Sequence, residues 1–239
     1  MKKYFFIFTL LFTAACFSLT AQQSPGIYAV NEEFEDLDMW EPLLFPKISR
    51  HTEYSTVTNG GISALIISSS ASASGMIFSD FFNVSEWPLL EWRWKASNIF
   101  KKGNAEKKSG DDYPVRLYII FEYSPEDAGP LVKAKYNIAK LLYGKYPPDS
   151  ALNYVYSSGK WDRDFIPNAF TSSAVMFASD SGTEHLGKWR THRVNILDDY
   201  RRAFGREPPE KASLAVMGDS DNTGEESQAF IDYIRVSRE

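Results

Sequence analysis

The sequence predicts a mostly β protein, an antiparallel β-sandwich into which two short helices are inserted. Runs in which apolar and polar residues alternate outnumber helical runs along the whole chain. Glycine, proline, serine and aspartate close most of these runs, as turn-forming residues do. The composition, 44% hydrophobic and 15% aromatic, supplies a core, and 239 residues fit a single β domain.

The predicted strands follow one another across most of the chain. In one of them Leu90, Trp92 and Trp94 share a face and Arg93 takes the other, because strand side chains alternate between faces. In chain order the runs are 31–43, 60–70, 74–88, 89–97, 113–124, 151–159, 172–180, 187–196, 211–220 and 228–236.

Two segments change to the helical period. In "GPLVKAKYNIAKLLYGKYPP" the residues at helical spacing are Leu131, Lys135, Ile138 and Leu142. Gly144 and the following proline pair end this helix. "LDDYRRAFGREPP" is the second helix, which Gly205 and Pro208 end.

The first residues have the pattern of an export signal. Lys2 and Lys3 precede the apolar stretch "YFFIFTLLFTAACFSL", which is short for a membrane-spanning helix and leads to small residues. Cleavage after Ala21 would remove residues 1–21 and leave a single β-sandwich domain, residues 22–239.

Cys16, the only cysteine, offers a second way of processing this segment. It follows two small residues, as a lipidated cysteine does, but Thr13 stands where a branched aliphatic residue is usual. We therefore expect a secreted or periplasmic protein, with lipid attachment at Cys16 as the alternative. No second long apolar run predicts a membrane span, and the net charge of -5 argues against nucleic-acid binding.

Four segments, taken in order, resemble jelly-roll carbohydrate-binding modules of the galactose-binding-like type. They are "EEFEDLDMW", "GGISALIIS", "LLEWRWKAS" and, at the end of the chain, "AFIDYIRV". This resemblance implies a jelly-roll fold and glycan as the ligand.

A second set of motifs resembles the bacterial domain-of-unknown-function family 3047. The set comprises "WRWKAS", "GDDYPVRLYIIFEY", "LNYVYSSG", "DDYRRAFGREPP" and "AVMGDSDNTGE" with the closing "AFIDYIRV". Tyr156 departs from the pattern, since members of the family often have tryptophan there. The resemblance implies a secreted or periplasmic sandwich and brings no established catalytic residues.

The acidic turn "DSDNTGEESQAF" is a candidate calcium site. Asp219, Asp221 and Thr223 occupy alternate positions, and Gly224 lies at the sharp turn, as in an EF-hand loop. Phe230 stands where the bidentate glutamate should be, and the flanks predict strands, so an EF-hand is excluded. A looser Ca²⁺ site and a plain hairpin turn both remain open.

Loops at strand ends can gather at one rim of a jelly roll. Asp112 would then lie beside Asp219 and Asp221, and three carboxylates in one place repel unless a cation or an arginine lies among them. With Arg116 and Tyr118, these three residues are also the candidates for catalysis by a polysaccharide hydrolase or lyase.

Arg93 and Arg116 lie on the polar faces of their strands. Either they bind a ligand or they face water, paired with charges on neighbouring strands. A separate structural Ca²⁺ could be shared by Glu33 or Glu35, near the first strand, and Asp232 on the last, if these strands are neighbours. The three histidines are too widely spaced for a zinc site, so we expect His192 to be a half-buried structural residue.

Aromatic residues could form a platform on which sugars stack. Trp161 stands beside Asp162 and Arg163 in "GKWDRDF", so that a ring and hydrogen-bonding groups occur together; the alternative is a loop anchored by one buried indole. Further platform candidates are Trp40, Tyr154 and Tyr156, whereas Trp92 and Trp94 are predicted to lie in the core.

The sequence favours a non-catalytic exported protein that binds a glycan or another extracellular ligand. No nucleophile elbow, phosphate-binding loop or zinc-protease motif appears. The alternatives are the hydrolase or lyase named above and a structural envelope protein. We expect a monomer, with Ca²⁺ as the one candidate cofactor.

Overall fold

Two β-sheets packed face to face form the protein, and the predicted mostly β sandwich with two short helices is confirmed. The computed structural model describes residues 27–126, 128–143 and 146–238. The predicted export segment, residues 1–21 with Cys16, therefore lies outside the described residues. In the part of the chain that is described, no helix is both long and apolar enough to cross a membrane.

The elements follow the predicted order. In chain order they are β1 (Tyr28–Glu32), β2 (Trp40–Leu43), β3 (Glu53–Asn59), β4 (Ile62–Ser70), β5 (Ala73–Phe78), β6 (Phe82–Asn83), β7 (Leu89–Ala96), β8 (Arg116–Phe121), α1 (Pro130–Tyr143), β9 (Ser150–Ser157), β10 (Ile166–Pro167), β11 (Ala174–Ser181), β12 (Arg190–Asn195), α2 (Ile196–Phe204), β13 (Lys211–Asp219) and β14 (Glu226–Ser237).

The smaller sheet has six strands in the order β12-β7-β14-β4-β3, with β1 paired to β14. The larger sheet has eight strands in the order β10-β11-β9-β8-β13-β5-β2, with β6 paired to β13. The first and last strands are thus neighbours. All pairs are antiparallel except β9 with β11, which are parallel. The chain between them returns to the starting end of β9 before β11 begins.

The core lies between the two sheets and follows the alternation read from the sequence. On β7, Leu90, Trp92 and Trp94 are fully buried. They pack in one cluster with the inward residues of β8, such as Leu117 and Ile119. Each buried side chain of this size stabilises the fold by about 1.5–3 kcal/mol, so the interleaved rows hold the two layers together.

The run 31–43, predicted as one strand, is divided between the two sheets. β1 pairs with β14, and β2 pairs with β5 in the other sheet. Glu32 holds the corner: its Oε1 accepts a hydrogen bond from the Phe34 backbone N–H at 2.6 Å, and its Oε2 accepts one from Trp40 Nε1 at 2.8 Å. Phe34 is fully buried at this corner. Glu32, which the sequence suggested as a polar residue of an edge strand, therefore stabilises a turn.

Both predicted helices are present. Asn195 caps α2, since its side chain accepts hydrogen bonds from the backbone N–H groups of Leu197 and Asp198. Gly205 ends the helix with a φ of 67°, a conformation that glycine adopts at little cost. Tyr200 on α2 packs its ring 4.6 Å from that of Phe121 and closes one end of the core.

Candidate ligand-binding site

One end of the eight-stranded sheet, here called the rim, gathers loops that are far apart in sequence. β8 begins at Arg116, which lies opposite Met217 near the end of β13 and opposite Val155 near the end of β9. The loops before β8, after β13 and after β9 therefore meet there. This is the arrangement that the rim prediction requires.

Arg116 and Asp219 form a buried ion pair at the rim. Arg116 Nε donates to Asp219 Oδ1 at 2.8 Å, and a terminal guanidinium nitrogen donates to Oδ2. The residues are 2% and 3% exposed. Burial alone would lower the pKa of Arg116, but Asp219, Tyr118 and Asp111 together outweigh it and hold that pKa well above its usual value. The expectation that Arg116 faces water is therefore wrong.

The loop before β8 covers this ion pair. The Asp111 carbonyl accepts a hydrogen bond from Arg116 at 2.5 Å, and the guanidinium lies 4.3 Å from the centre of the Tyr113 ring. The Tyr113 backbone N–H also donates to Asp219 Oδ1 at 3.0 Å. These contacts make Arg116 a buried connector between the loop and β13.

Asp112 fastens the acidic turn to the same loop. Its Oδ2 accepts a hydrogen bond from the Thr223 backbone N–H at 2.6 Å, and its Oδ1 accepts one from Asn222 Nδ2 at 2.9 Å. Gly224 follows with a φ of 70°, and its N–H donates to the Ser220 carbonyl. The acidic turn is thus a tight structural element as well as a source of carboxylates, with Thr223 buried and Gly224 exposed.

Three carboxylates converge where the turn meets the ion pair. Asp112, Asp219 and Asp221 each offer an oxygen within 4.8 Å of the others, and among the described residues no other such group of three potential metal ligands is found. Burial raises the pKa of Asp221, and the nearby Asp112 charge raises it further. Burial also raises the pKa of Asp111. Burial therefore disfavours the charged forms of Asp221 and Asp111.

A hard cation would relieve this repulsion, since Asp112 Oδ2 and Asp219 Oδ2 each accept one hydrogen bond and keep a second lone pair, whereas Asp219 Oδ1 already accepts two. Only Arg116 opposes the negative charges of Asp111, Asp112, Asp219 and Asp221 within the cluster. Calcium binding by Asp219 and Asp221 stays a prediction.

The second predicted calcium pair, Glu35 and Asp232, is differently placed. Asp232 Oδ2 accepts a hydrogen bond from Arg93 at 2.9 Å, so an arginine already opposes this carboxylate. Neither residue belongs to a converging group of three potential ligands in the described chain. A Ca²⁺ shared by Glu35 and Asp232 stays a prediction as well.

A pocket of about 350 Å³, the rim pocket, adjoins the carboxylate cluster. Its walls are the loop before β8, including Asn104, Asp112 and Tyr113, and the segment 157–163 that follows β9. Ser157 and Gly159 hold the start of this segment in a tight turn, since the Ser157 hydroxyl donates to the Gly159 carbonyl at 2.8 Å.

Trp161 lies in the wall of the rim pocket and is half-buried. Its ring packs against a small apolar cluster that contains Tyr113, Val155 and Ile166. The indole is therefore anchored and also lines the pocket, so both alternatives drawn from the sequence describe part of its environment. Asp162 and Arg163 lie beside it, exposed to solvent.

The model of the family described as "Protein of unknown function (DUF3047)" matches residues 38–235. The chain belongs to this family. The predicted membership is thereby confirmed, and the match covers the rim, the acidic turn and every strand except β1 and the end of β14. A search of curated proteins found no match.

Solved structures with a similar fold include sugar-binding modules and glycosidases. The Family 11 carbohydrate-binding module of cellulosomal cellulase Lic26A-Cel5E of Clostridium thermocellum has a TM-score of 0.43 and 10% identity, covering 86% of this chain and 91% of that one. Endoglucanase 3 of Trichoderma harzianum, from family GH12, has a TM-score of 0.43 and 10% identity, covering 90% and 96%. Similarity at this level carries no argument about function.

Other predicted site residues lie apart from the carboxylate cluster. Arg93 is on the outer face of the smaller sheet, next to Asp232. Tyr118 lies on the same face of β8 as Arg116, and its hydroxyl contacts Met217 Sδ at 3.8 Å. Burial raises the pKa of Tyr118 to about 12, so it stays protonated at neutral pH.

Three of the platform candidates are wrong. Trp40, Tyr154 and Tyr156 are buried in the core cluster, at 5%, 1% and 0% exposure, and cannot meet a sugar. Each of them lies on the inner face of its strand. The flanking polar residues did not indicate in the sequence which face of the strand is buried.

Asp180 is a structural centre that the sequence did not reveal. Its Oδ2 accepts a hydrogen bond from Trp94 Nε1 at 2.7 Å and contacts His192 Nε2 at 2.6 Å. Its Oδ1 accepts one from Arg190 Nε at 3.2 Å. His192 is half-buried, as predicted, and its role as part of this network explains why.

Proposed function

We propose that this family member is an exported protein that binds a glycan in the rim pocket without catalysing a reaction. The observation that carries the proposal is the position of Trp161, an anchored, half-buried indole in the wall of a polar pocket. Export itself depends on the predicted signal, residues 1–21, and on the single domain that follows it, residues 22–239.

The pocket has the features that sugar binding requires. Its volume of about 350 Å³ lies within the range of small-molecule sites, roughly 300–1,000 Å³. Sugars present an apolar face, which an indole can cover, and a rim of hydroxyl groups, which polar side chains can bind. Asn104, Ser158, Asp162 and Arg163 supply such groups around Trp161.

We infer a structural role for the carboxylates beside the pocket. Asp219 is only 3% exposed, and Asp112 accepts hydrogen bonds from the Thr223 backbone N–H and from Asn222 Nδ2. Arg116 is 2% exposed, and three of its N–H donors are bound by Asp219 and the Asp111 carbonyl, so burial keeps the guanidinium from a substrate.

Retention of the purified processed chain on a panel of immobilised polysaccharides, with and without Ca²⁺, tests the proposal. We expect binding to at least one polysaccharide and a loss of at least tenfold in affinity for Trp161→Ala, because the stacking surface is removed. Phe81→Ala is the matched control, since Phe81 is 52% exposed and follows β5 at the end opposite the rim.

Failure of the panel would contradict the proposal and favour the alternative of a structural envelope protein. Release of reducing sugar or of an unsaturated product from a bound polysaccharide would instead favour the enzyme alternative. In that case Asp112→Asn would have to abolish the turnover. Gel filtration of the same preparation tests the expected monomer.

A further inference from the structure

The outer face of the smaller sheet carries a group of aromatic rings and cationic side chains. We name it the aromatic–cationic face, and it is formed by Arg93, Lys95, Trp189, Phe230 and Tyr233. It belongs to a different sheet from the rim pocket. The residues come from β7, from β14 and from the position just before β12.

The rings and cations contact one another in a continuous row. Lys95 Nζ lies 4.8 Å from the centre of the Trp189 ring and 4.3 Å from that of Phe230. The Arg93 guanidinium lies 5.3 Å from the Trp189 ring. β7 and β14 place Lys95 directly opposite Phe230, and Arg93 opposite Tyr233. Trp189 and Phe230 are both half-buried, so part of each ring stays accessible.

Lys95 of this face and the neighbouring Arg193 form no ion pair among the described residues. Arg93 is bound to Asp232, whereas no acidic group of the described chain lies within salt-bridge distance of Lys95 or Arg193. Arg193 lies on β12 opposite Glu91 of β7 and is exposed. In a chain whose net charge is -5, unpaired cations beside open aromatic rings provide local complementarity to an anion.

A polar groove continues the same face towards the rim. Its volume is about 580 Å³, and Ser68, Asn98 and Gln228 are among the residues that line it. Gln228 lies two residues before Phe230 on β14, so the groove and the rings adjoin. Glu53 and Glu226 also line the groove, and so do Arg50 and His51, so the groove has side chains of both charges. An anionic group is therefore favoured mainly at the Lys95 end.

We propose that the aromatic–cationic face is a second binding surface, which takes an acidic polysaccharide as an extended chain. The rings of Trp189 and Phe230 cover apolar sugar faces, Lys95 and Arg193 bind carboxylate groups, and the groove binds hydroxyl groups. An acidic peptide would satisfy the cations but not the paired rings and the hydroxyl-binding groove. This surface operates independently of the rim pocket.

Affinity electrophoresis with two cellulose derivatives tests the proposal, because they share a backbone and differ in charge. We expect the processed chain to bind carboxymethyl cellulose at least tenfold more tightly than hydroxyethyl cellulose. Lys95→Met, which keeps most of the side-chain stem, and Trp189→Ala should each weaken binding to carboxymethyl cellulose about tenfold.

The matched control is Lys188→Met, which removes an equal charge next to Trp189 from an exposed lysine that contacts the Glu184 carbonyl. It should leave binding unchanged, and so should Trp161→Ala, which separates this surface from the rim pocket. Equal binding of polyglutamate, equal binding of hydroxyethyl cellulose, or an equal effect of Lys188→Met would each overturn the proposal. Circular dichroism and thermal melting of each variant show whether it is folded.

Discussion

Removal of one partner of the buried ion pair at the rim should greatly lower the free energy of unfolding. In Asp219→Asn, the charge that faces Arg116 is lost and one of the two acceptor oxygens becomes an NH2 donor, while Arg116 stays 2% exposed. Asp111 remains as the nearest carboxylate, with its Oδ1 3.6 Å from an Arg116 nitrogen, and compensates only in part. Removal of one member of a buried pair costs about 3–5 kcal/mol. We expect a loss in this range.

Urea unfolding followed by tryptophan fluorescence measures this loss as a fall in the midpoint at an unchanged slope. Asp232→Asn is the matched control, because its partner Arg93 is 37% exposed at the side chain and exposed pairs contribute about 0–1 kcal/mol. The double variant Arg116→Met with Asp219→Leu should recover much of the stability, since apolar residues often replace a buried pair without loss. A loss below about 1 kcal/mol in Asp219→Asn, or a double variant less stable than it, would refute the reasoning.

Three further predictions concern the cation, the pH and the processing of the chain. If Ca²⁺ binds the carboxylate cluster, a concentration ten times its Kd adds about 1.4 kcal/mol. We expect a rise of about 3 °C in Tm, with Asp221→Asn removing it; no rise after EGTA treatment and Ca²⁺ addition would leave the cluster a structural turn. Burial would raise the pKa of Asp180, but its hydrogen bonds from His192 and Trp94 outweigh this and lower it. That stability is present above the ordinary aspartate pKa and is lost as the pH falls through the lowered one, so the urea midpoint should fall less between pH 5 and pH 3 in Asp180→Asn than in the native chain. Mass spectrometry of the exported protein should find Gln22 at the amino terminus, and a lipid on Cys16 would contradict this.

The order of elements could be predicted from the sequence because local patterns determine it. Alternation on β7 placed Trp92 and Trp94 in the core, and the glycine at position 205 marked the end of α2. The gathering of Asp112, Asp219 and Asp221 could be predicted only as a possibility of the fold. Their convergence depends on which strands are neighbours, and a single sequence does not record strand pairing.

The environment of Arg116 could not be predicted, because it depends on a loop and not on the strand. Alternation assigned this side chain to the outer face, which is correct, and polarity then predicted contact with water. The loop before β8 folds back over that face, so that Tyr113 and the Asp111 carbonyl cover the guanidinium. Loop positions leave no periodic pattern in a sequence. For the same reason the role of Asp180 and the corner at Glu32 were not predicted.

A crystal structure of the processed chain with the oligosaccharide that it binds most tightly would examine the rim pocket directly. We predict a sugar ring against the indole of Trp161, with hydroxyl groups hydrogen-bonded to the segment 157–163. Sugar bound only elsewhere on the protein, with the indole uncovered, would contradict the account.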